Sequence, residues 1–199
     1  MPIILLFSND KLLPSLSHYY YSKGAVFFVA ILSAFGLFLI SYKGFDKSED
    51  EIISDNMMTI IGGICVLLVV LIPTSCLSPI AQKIIPACSG NEFPLYGHDN
   101  KALGTVHLIL AGIFLFSMGH MSFYKFTKSK RYITFFQVCG IVVWLCIALL
   151  AMEFLFQFSI TDYDVFFLET IAVVFFGASW LIKGEVLEGM GLVKKKSYV

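Results

Sequence analysis

The stretch YITFFQVCGIVVWLCIALLAM, residues 132–152, contains 21 residues and no charged side chain. A helix of this length is about 31 Å long, because each residue adds ~1.5 Å along the axis. That length matches the hydrocarbon layer of a bilayer, which is ~30 Å thick. The stretch therefore predicts a helix that crosses a membrane.

Four further segments have the same character, and they are residues 24–42, 56–75, 103–124 and 164–182. Only 14% of the chain is charged and 58% is hydrophobic, whereas a soluble domain carries about 25% charged residues. The connections between the segments are short. The sequence thus predicts an all-α fold, a polytopic transmembrane helical bundle of five spans that forms a single domain over residues 1–199.

The apolar run PIILLF at residues 2–7 is too short to cross a bilayer. It lacks the charged start and the small-residue cleavage site of a signal peptide. Two interpretations remain open. The run is either a short anchor in the membrane interface or the outer end of a sixth helix, the rest of which would precede this chain.

Lysine and arginine residues are unequally divided between the two sides of the predicted bundle. Ten fall on one side: Lys43, Lys47, Lys125, Lys128, Lys130, Arg131, Lys183, Lys194, Lys195 and Lys196. The other four are Lys11, Lys23, Lys83 and Lys101. Cytoplasmic loops are the ones enriched in these residues, so we expect an outside N-terminus and a cytoplasmic C-terminus. The net charge of zero argues against nucleic acid as a partner.

Two of the five cysteines, Cys76 and Cys88, lie in the same outer loop. An extracytoplasmic or lumenal compartment allows such thiols to be oxidised, so we predict a disulfide between them, with two free thiols as the alternative. Cys65, Cys139 and Cys146 lie inside spans and are interpreted as small apolar residues.

Short phrases spread over most of the chain are similar to those of a known group. They are SLSHYYY at 15–21, SYKGFD at 41–46, SDN at 54–56, IPTS at 72–75, GTVHL at 104–108 and ASWLIKGE at 178–185. In these the chain resembles uncharacterised bacterial membrane proteins, the domain-of-unknown-function 998 and related DRAM/Sfk-type multi-span group. The resemblance implies a bacterial inner-membrane fold of about six helices with the first one missing. It implies no activity and assigns no catalytic residue.

Two ionisable residues lie inside spans on the outer side. Glu169 is ~7 Å along the fifth span from Asp164, and His107 is about one turn into the third. Such groups are costly in a membrane, by roughly 2.5–3.5 kcal/mol at its centre, so each suggests a function. His18, Tyr19, Tyr20 and Tyr21 directly precede the first span at the same level.

These six residues allow three interpretations. They form a polar pocket at the outer face, in which His107 pairs with Glu169 if their helices are neighbours. Alternatively, His18, His107 and Glu169 bind a divalent metal, for which two imidazoles and a carboxylate are suitable ligands. In the third, Tyr19, Tyr20 and Tyr21 are interfacial anchors and Glu169 is favoured by the helix dipole.

The inner ends of the helices carry a second polar group, which consists of Lys43, Asp46, Asp55, Asn56, His120, Lys183 and Glu185. We expect Asp55 or Asn56 to cap the second helix and the charges to pair between helix ends. Glycines inside the spans, such as Gly62, Gly63, Gly112 and Gly119, predict close contacts between helices.

The absence of known catalytic motifs leaves two classes of function for this sequence. There is no Gly-x-Ser-x-Gly elbow, His-Glu-x-x-His helix or phosphate-binding glycine loop. The first class is a non-enzymatic bundle without a cofactor, which binds a lipid or another hydrophobic ligand, or serves as a homo-oligomer or a subunit beside a partner membrane protein. The second is a membrane-embedded enzyme or metal site built on His18, His107 and Glu169.

Overall fold

The computed structural model describes residues 1–9, 11–44, 53–90, 92–94, 96–156 and 159–184. Helices account for 75% of these residues, and none of them lies in a β-strand. The prediction of an all-α fold is confirmed. Asp46, Lys47, Glu185 and residues 194–196, which the sequence analysis placed at the inner ends, lie outside the described ranges.

Eight α-helices occur in this part of the chain, and short 3-10 and π segments adjoin two of them. The α-helices are α1 (Pro2–Phe7), α2 (Ala25–Ser41), α3 (Asp55–Leu71), α4 (Pro79–Ile84), α5 (Pro86–Gly90), α6 (Lys101–His120), α7 (Ile133–Phe156) and α8 (Asp164–Lys183). A 3-10 helix, Ser17–Tyr21, precedes α2, and α6 continues through a π segment, Met121–Lys125, and a 3-10 turn, Phe126–Ser129.

Three helical segments are long and apolar enough to cross a membrane: Lys101–Lys128, Ile133–Phe156 and Asp164–Lys183. Helices α2 and α3 are also apolar but contain 17 residues each. Both are shorter than predicted. The second predicted span, residues 56–75, was too long at its C-terminal end, because the chain leaves the helix before Pro73, which has no amide hydrogen to continue it.

The N-terminal end of α3 is capped by a residue that the sequence analysis did not choose. The hydroxyl of Ser54 accepts the amide hydrogen of Met57 at 3.1 Å. The expected cap, Asp55, is the first residue of the helix and is buried instead. Its carboxylate lies 3.4 Å from the ammonium group of Lys125 and 3.1 Å from that of Lys128. The expected ion pairing between helix ends is therefore present at this position.

The long helices pack in chain order, α2 on α3, α3 on α6, α6 on α7 and α7 on α8. Helix α8 also meets α2, through ring contacts of Phe176 with Phe35 and of Trp180 with Phe38. Helices α2, α3, α6 and α8 thus surround a common interior, and α7 covers α6 and α8 from outside. We refer to the end of this bundle that carries Cys76, His107 and Glu169 as the disulfide end, and to the opposite one, with Asp55 and Lys125, as the lysine end.

The outward faces of the long helices are apolar. Large exposed side chains occur on each of them, for example Val26 and Leu37, Ile64, Ile109, Leu145 and Val174. A soluble monomer rarely exposes contiguous apolar patches larger than a few hundred Å². These faces are the surface expected of helices surrounded by lipid. Helix α1, the six-residue product of the run at residues 2–7, buries Leu5 and exposes Phe7.

Close packing between helices depends on some of the predicted glycines and not on others. A Cβ atom on Gly63 would lie 2.7 Å from the backbone oxygen of Gly36, and one on Gly119 would lie 2.6 Å from the indole nitrogen of Trp144. A Cβ on Gly112 would meet no atom within 4 Å. The prediction of a close contact is wrong for Gly112, which faces open space.

The pair Gly63 and Gly112 provides a matched test of this packing. Alanine is intrinsically favoured over glycine in a helix by about 1 kcal/mol, so Gly112→Ala should leave the thermal stability unchanged or raise it. Gly63→Ala should lower it, since its methyl group must push apart the backbones of α2 and α3. Unfolding in detergent, followed by circular dichroism, measures both variants. Equal effects of the two substitutions would contradict the close contact of α2 and α3.

The predicted disulfide is confirmed. Cys76 and Cys88 are bonded, with Cα atoms 5.2 Å apart. The bridge connects the loop after α3 to α5, and the amide of Cys76 donates to the carbonyl of His98 at 3.0 Å. The disulfide thus holds the short helices α4 and α5 over the end of the bundle. The other three cysteines are free and buried, as expected.

Loss of the disulfide should destabilise the protein. The bond joins residues 12 positions apart. Closing a loop of this size stabilises by roughly 3 kcal/mol in the chain-entropy model, so the double variant Cys76→Ser/Cys88→Ser should unfold more easily by about that amount. Chemical denaturation with and without dithiothreitol measures the effect. The reductant should destabilise the natural chain and leave the double variant unchanged; sensitivity of the variant to reductant would show that another thiol is responsible.

Candidate functional site at the disulfide end

The segment before α2 enters the bundle rather than lying on its surface. Its 3-10 helix, Ser17–Tyr21, is buried at every residue, and Leu13 and Leu16 before it are buried too. Polypeptide backbone buried in this way must find hydrogen-bond partners. We call residues 12–21 the entry segment. All six predicted site residues belong to this segment or form a hydrogen bond with it.

His107 connects α6 to both α3 and the entry segment. Its side chain is 1% exposed. Nδ1 lies 2.7 Å from the carbonyl oxygen of Ile72, so this nitrogen carries the proton and donates it. Nε2 then accepts the hydroxyl hydrogen of Ser17 at 3.0 Å. Both ring nitrogens are thereby satisfied, which explains how a histidine is accommodated inside an apolar helix.

Glu169 connects α8 to the same segment. Its Oε2 accepts the backbone amide of Leu16 at 2.7 Å, directly before the 3-10 helix. The first amides of a helix have no partner within it, and a carboxylate there is also favoured by the helix dipole. The backbone of α8 adds a second link, because the amide of Phe166 donates to the carbonyl of Pro14 at 3.0 Å.

The expected pairing of His107 with Glu169 is therefore replaced by another arrangement. Each side chain hydrogen-bonds to the entry segment, His107 to Ser17 and Glu169 to Leu16. His107 and Glu169 therefore lie at the same site without forming a pair. Each binds the entry segment instead, which lies between α6 and α8. This segment supplies the hydroxyl hydrogen of Ser17 and the backbone amide of Leu16, and a direct pair of His107 with Glu169 would have left both without these partners.

The three tyrosines are buried, so the interpretation of them as interfacial anchors is wrong. Tyr19, Tyr20 and Tyr21 are 0%, 6% and 5% exposed. Tyr19 packs against Phe166 at 6.3 Å between ring centroids. The hydroxyl of Tyr21 donates to the carbonyl of Thr74 at 2.5 Å and accepts the amide of His98 at 3.2 Å. The tyrosines fix the entry segment in the bundle, and they do not line the cavity described next.

A cavity of about 430 Å³ lies at the disulfide end between the entry segment, α4 and the ends of α6, α7 and α8. Its wall includes His18, His107 and Glu169, three of the predicted site residues. Hydroxyl groups of Ser15, Ser17, Thr74, Ser78, Ser159 and Thr161 also contribute to the lining. The volume falls in the range of small-ligand sites, ~300–1,000 Å³.

Three carboxylates of the cavity were not selected by the sequence analysis: Glu153, Asp162 and Asp164. Asp164 accepts the amides of Ile160 and Thr161 at 2.5 and 2.8 Å, so it shapes the turn before α8. Glu153 follows the predicted span 132–152 directly, and α7 continues past it. The signal that could have found these residues is the concentration of acids in the loop between the fourth and fifth spans.

His18 differs from the other polar residues of the cavity because one of its buried atoms has no partner in good hydrogen-bonding geometry. Its Nδ1 lies 2.7 Å from the hydroxyl of Ser15, and that hydroxyl also accepts the backbone amide of His18 itself. A hydroxyl oxygen can accept two hydrogen bonds, so either tautomer of the ring fits this contact. Nε2 is buried, and no group among the described residues meets it in good hydrogen-bonding geometry, although the Ser75 backbone lies close enough to favour the charged ring.

A second, smaller cavity of about 50 Å³ lies in the apolar interior below the first one. Phe28, Val66 and Phe114 are among its walls. Ser17 and Glu169 line both cavities. The hydrogen bonds of the entry segment thus form the boundary between a polar space at the end of the bundle and its apolar core.

The geometry does not support a metal site. Within the described ranges, no group of three or more His, Cys, Asp or Glu side chains is arranged to hold a metal ion. His107 uses both ring nitrogens in hydrogen bonds, and a metal ligand needs a free one. His18 and Glu169 share the cavity wall without completing a ligand set.

Comparison with protein families, with curated proteins and with solved structures gives no match for this chain. The site must therefore be interpreted from its own residues. They line a cavity at one end of a bundle in which three helical segments are long and apolar enough to cross a membrane.

The protonation of His18 should make stability depend on pH. Burial and, to a lesser extent, the charge of the neighbouring His107 lower the pKa of His18 from 6.5 to about 4, against a smaller opposing effect of a hydrogen bond with the Ser75 backbone. The unfolded chain takes up a proton below pH ~6.5 that the folded chain does not, so stability is complete above that pH and is lost as pH falls to about 4.

We expect His18→Gln to flatten this profile. Thermal unfolding at pH 7.5, 5.5 and 4.5 compares the two proteins in the same detergent. The natural chain should lose more stability between the first and last pH than the variant does, by up to about 3 kcal/mol at 1.36 kcal/mol per pKa unit. Parallel profiles would show that His18 is not held in its neutral form.

Proposed function

We propose that the chain is an integral membrane protein of five spans that binds a small polar or amphiphilic ligand in the cavity at the disulfide end. The cavity carries this proposal, since a space of about 430 Å³ with hydroxyl, imidazole and carboxyl groups in its wall lies at one end of a largely apolar bundle. Membrane lipids are the most abundant molecules with a polar part at this level. We regard a lipid headgroup as the first candidate.

Several features support five spans. Helices α2 and α3 have 17 residues each, which is the lower limit for crossing a bilayer, roughly 17–25 residues. Both pack against the interior and present apolar side chains outward, such as Val26 and Ile64. A helix half-buried in a bundle and half-exposed as apolar surface fits a lipid environment and would be unfavourable in water.

We propose that the protein lies in the inner membrane of a bacterium. Its disulfide end then faces outward, and its lysine end faces the cytoplasm. The lysine and arginine distribution supports it. The disulfide supports it independently, because such bonds persist in oxidising compartments.

Binding fits the site better than catalysis. His107 and Glu169, the two residues most suited to acid–base chemistry, are occupied by hydrogen bonds that hold the entry segment. A general base must be able to reach the proton of a substrate. The proposal therefore assigns these residues to the wall of a binding site. The same site would serve a chain that acts as a subunit of a membrane complex and needs the ligand for assembly.

Filling the cavity tests the proposal. Ser78 lines the cavity and is half-buried, and its side chain caps no helix, so Ser78→Trp should occupy the space. Leu149→Trp, on the exposed face of α7, is the matched control. Native mass spectrometry of the purified proteins should show a co-purifying small molecule on the natural chain and on the control, and its loss from Ser78→Trp. Equal retention by both variants would mean that the cavity binds nothing.

A further inference from the structure

One side of the cavity is a segment that the disulfide closes into a ring. The bond joins residues 76 and 88, so the ring contains α4 and the start of α5. Three residues of the ring, Ser78, Pro79 and Ile80, contribute to the cavity wall. The rest of the wall belongs to the bundle, from the entry segment to the start of α8. Movement of the ring would therefore change access to the cavity.

The first residues of this segment are fixed to the bundle. The amide of Cys76 donates to the carbonyl of His98 at 3.0 Å. Ser75, directly before it, packs tightly on α6, because a Cβ atom on Gly104 would lie 2.5 Å from the hydroxyl oxygen of Ser75. Cys76 is thus a firm anchor for one end of the disulfide.

The segment that follows Cys76 is attached less firmly. In the described part of the chain, residues 77–90 form hydrogen bonds only with one another, such as those of the Ile85 and Cys88 amides with the carbonyls of Ala81 and Ile85. Ala81, Ile85 and Cys88 are also its buried face, whereas Gln82 is exposed. A segment with few buried apolar side chains opens more easily than the core of a fold.

The disulfide connects the loosely attached part to the firm anchor. With the bond intact, Cys88 is held at Cys76. Without it, residues 77–90 would depend on the burial of Ala81 and Ile85 alone to stay on the bundle. Because the same segment forms one side of the cavity, the bond determines whether the cavity remains covered.

From this arrangement we infer that residues 77–90 are a lid on the cavity and that the Cys76–Cys88 bond is its redox latch, which an external dithiol opens. One thiolate of the dithiol attacks a sulfur of the bond and expels the other sulfur as a thiolate. The second thiol of the dithiol then breaks the mixed disulfide. Two electrons and two protons pass to the cysteines, and the dithiol leaves as a disulfide. The inference rests on the proposed function, because it names the regulation of the same cavity.

The burial of the two cysteines couples reduction to movement of the lid. Cys76 and Cys88 are 1% and 3% exposed, so a dithiol reaches the bond only after the lid has opened briefly. The rate of reduction therefore reports how often the lid opens.

Two substitutions on opposite faces of the lid test this coupling. Ile85→Ala removes a buried side chain and should raise the rate of reduction by dithiothreitol about tenfold or more. Gln82→Ala, on the exposed face, is the matched control and should react like the natural chain. Alkylation with iodoacetamide and mass spectrometry of the peptides that contain Cys76 and Cys88 follow the reaction. Equal rates for the two variants would contradict the lid.

Hydrogen exchange of the full chain in nanodiscs locates the opening. Dithiothreitol should raise exchange at residues 77–90 about tenfold or more at short labelling times, while α3 and α7 remain protected. Cys76→Ser/Cys88→Ser should exchange rapidly at residues 77–90 with or without the reductant. If exchange rises equally in α3 and α7, the bond stabilises the whole bundle and is not a latch. Unchanged exchange at residues 77–90 would also overturn the inference.

Native mass spectrometry connects the latch to the ligand. After treatment with dithiothreitol and buffer exchange, the natural chain should lose the molecule that co-purifies with the untreated protein. Its retention by the reduced protein would overturn the inference. Failure of the proposed function is recognised separately, because Ser78→Trp and Leu149→Trp would then retain the same molecules. A selective rise in exchange at residues 77–90 would still support the latch in that case.

Discussion

The hydrogen bonds between the entry segment and the helices around it are the constraint on which the disulfide end depends. Residues 12–21 bring polar backbone into a bundle that is otherwise apolar, and each buried amide or carbonyl needs a partner. Glu169 of α8 and His107 of α6 supply partners at adjacent positions, Leu16 and Ser17. A single short segment thereby sets the distance between two helices.

The same constraint explains why a cavity exists. The entry segment lies between the ends of α6 and α8, and the disulfide holds α4 and α5 over them from the other side. The ends of these helices therefore do not close on one another, and polar side chains line the space that remains. At the lysine end, none of the residues that the structure describes forms such a segment. There Trp180 fills the interior and contacts Tyr42 and Phe126 at 5.0 and 5.1 Å between ring centroids.

The helical bundle was predictable because a membrane-spanning helix is recognised from the mean hydropathy of about 20 residues, a property that no single residue decides. Even the ends of α2 and α8 fall within one residue of the prediction. The level of His107 and Glu169 was predictable for the same reason, since depth follows from position in a helix. Their partners were not predictable. The amide of Leu16 and the carbonyl of Ile72 belong to the backbone, which every residue has, so no sequence pattern distinguishes them.

The polar residues of the cavity differ in role according to whether they have hydrogen-bond partners within the fold. His107 and Glu169 attracted the functional interpretation because they lie within helices, yet their hydrogen bonds make them mainly structural. Glu153 and Asp162 lie just outside the predicted spans, where acids are common, and they remain uncommitted in the fold. A charge inside a membrane helix must be satisfied when the protein folds, whereas a charge at its rim can remain hydrated until a ligand arrives. The proposed binding site would therefore depend on the charges at its rim, while the residues within the helices determine its shape.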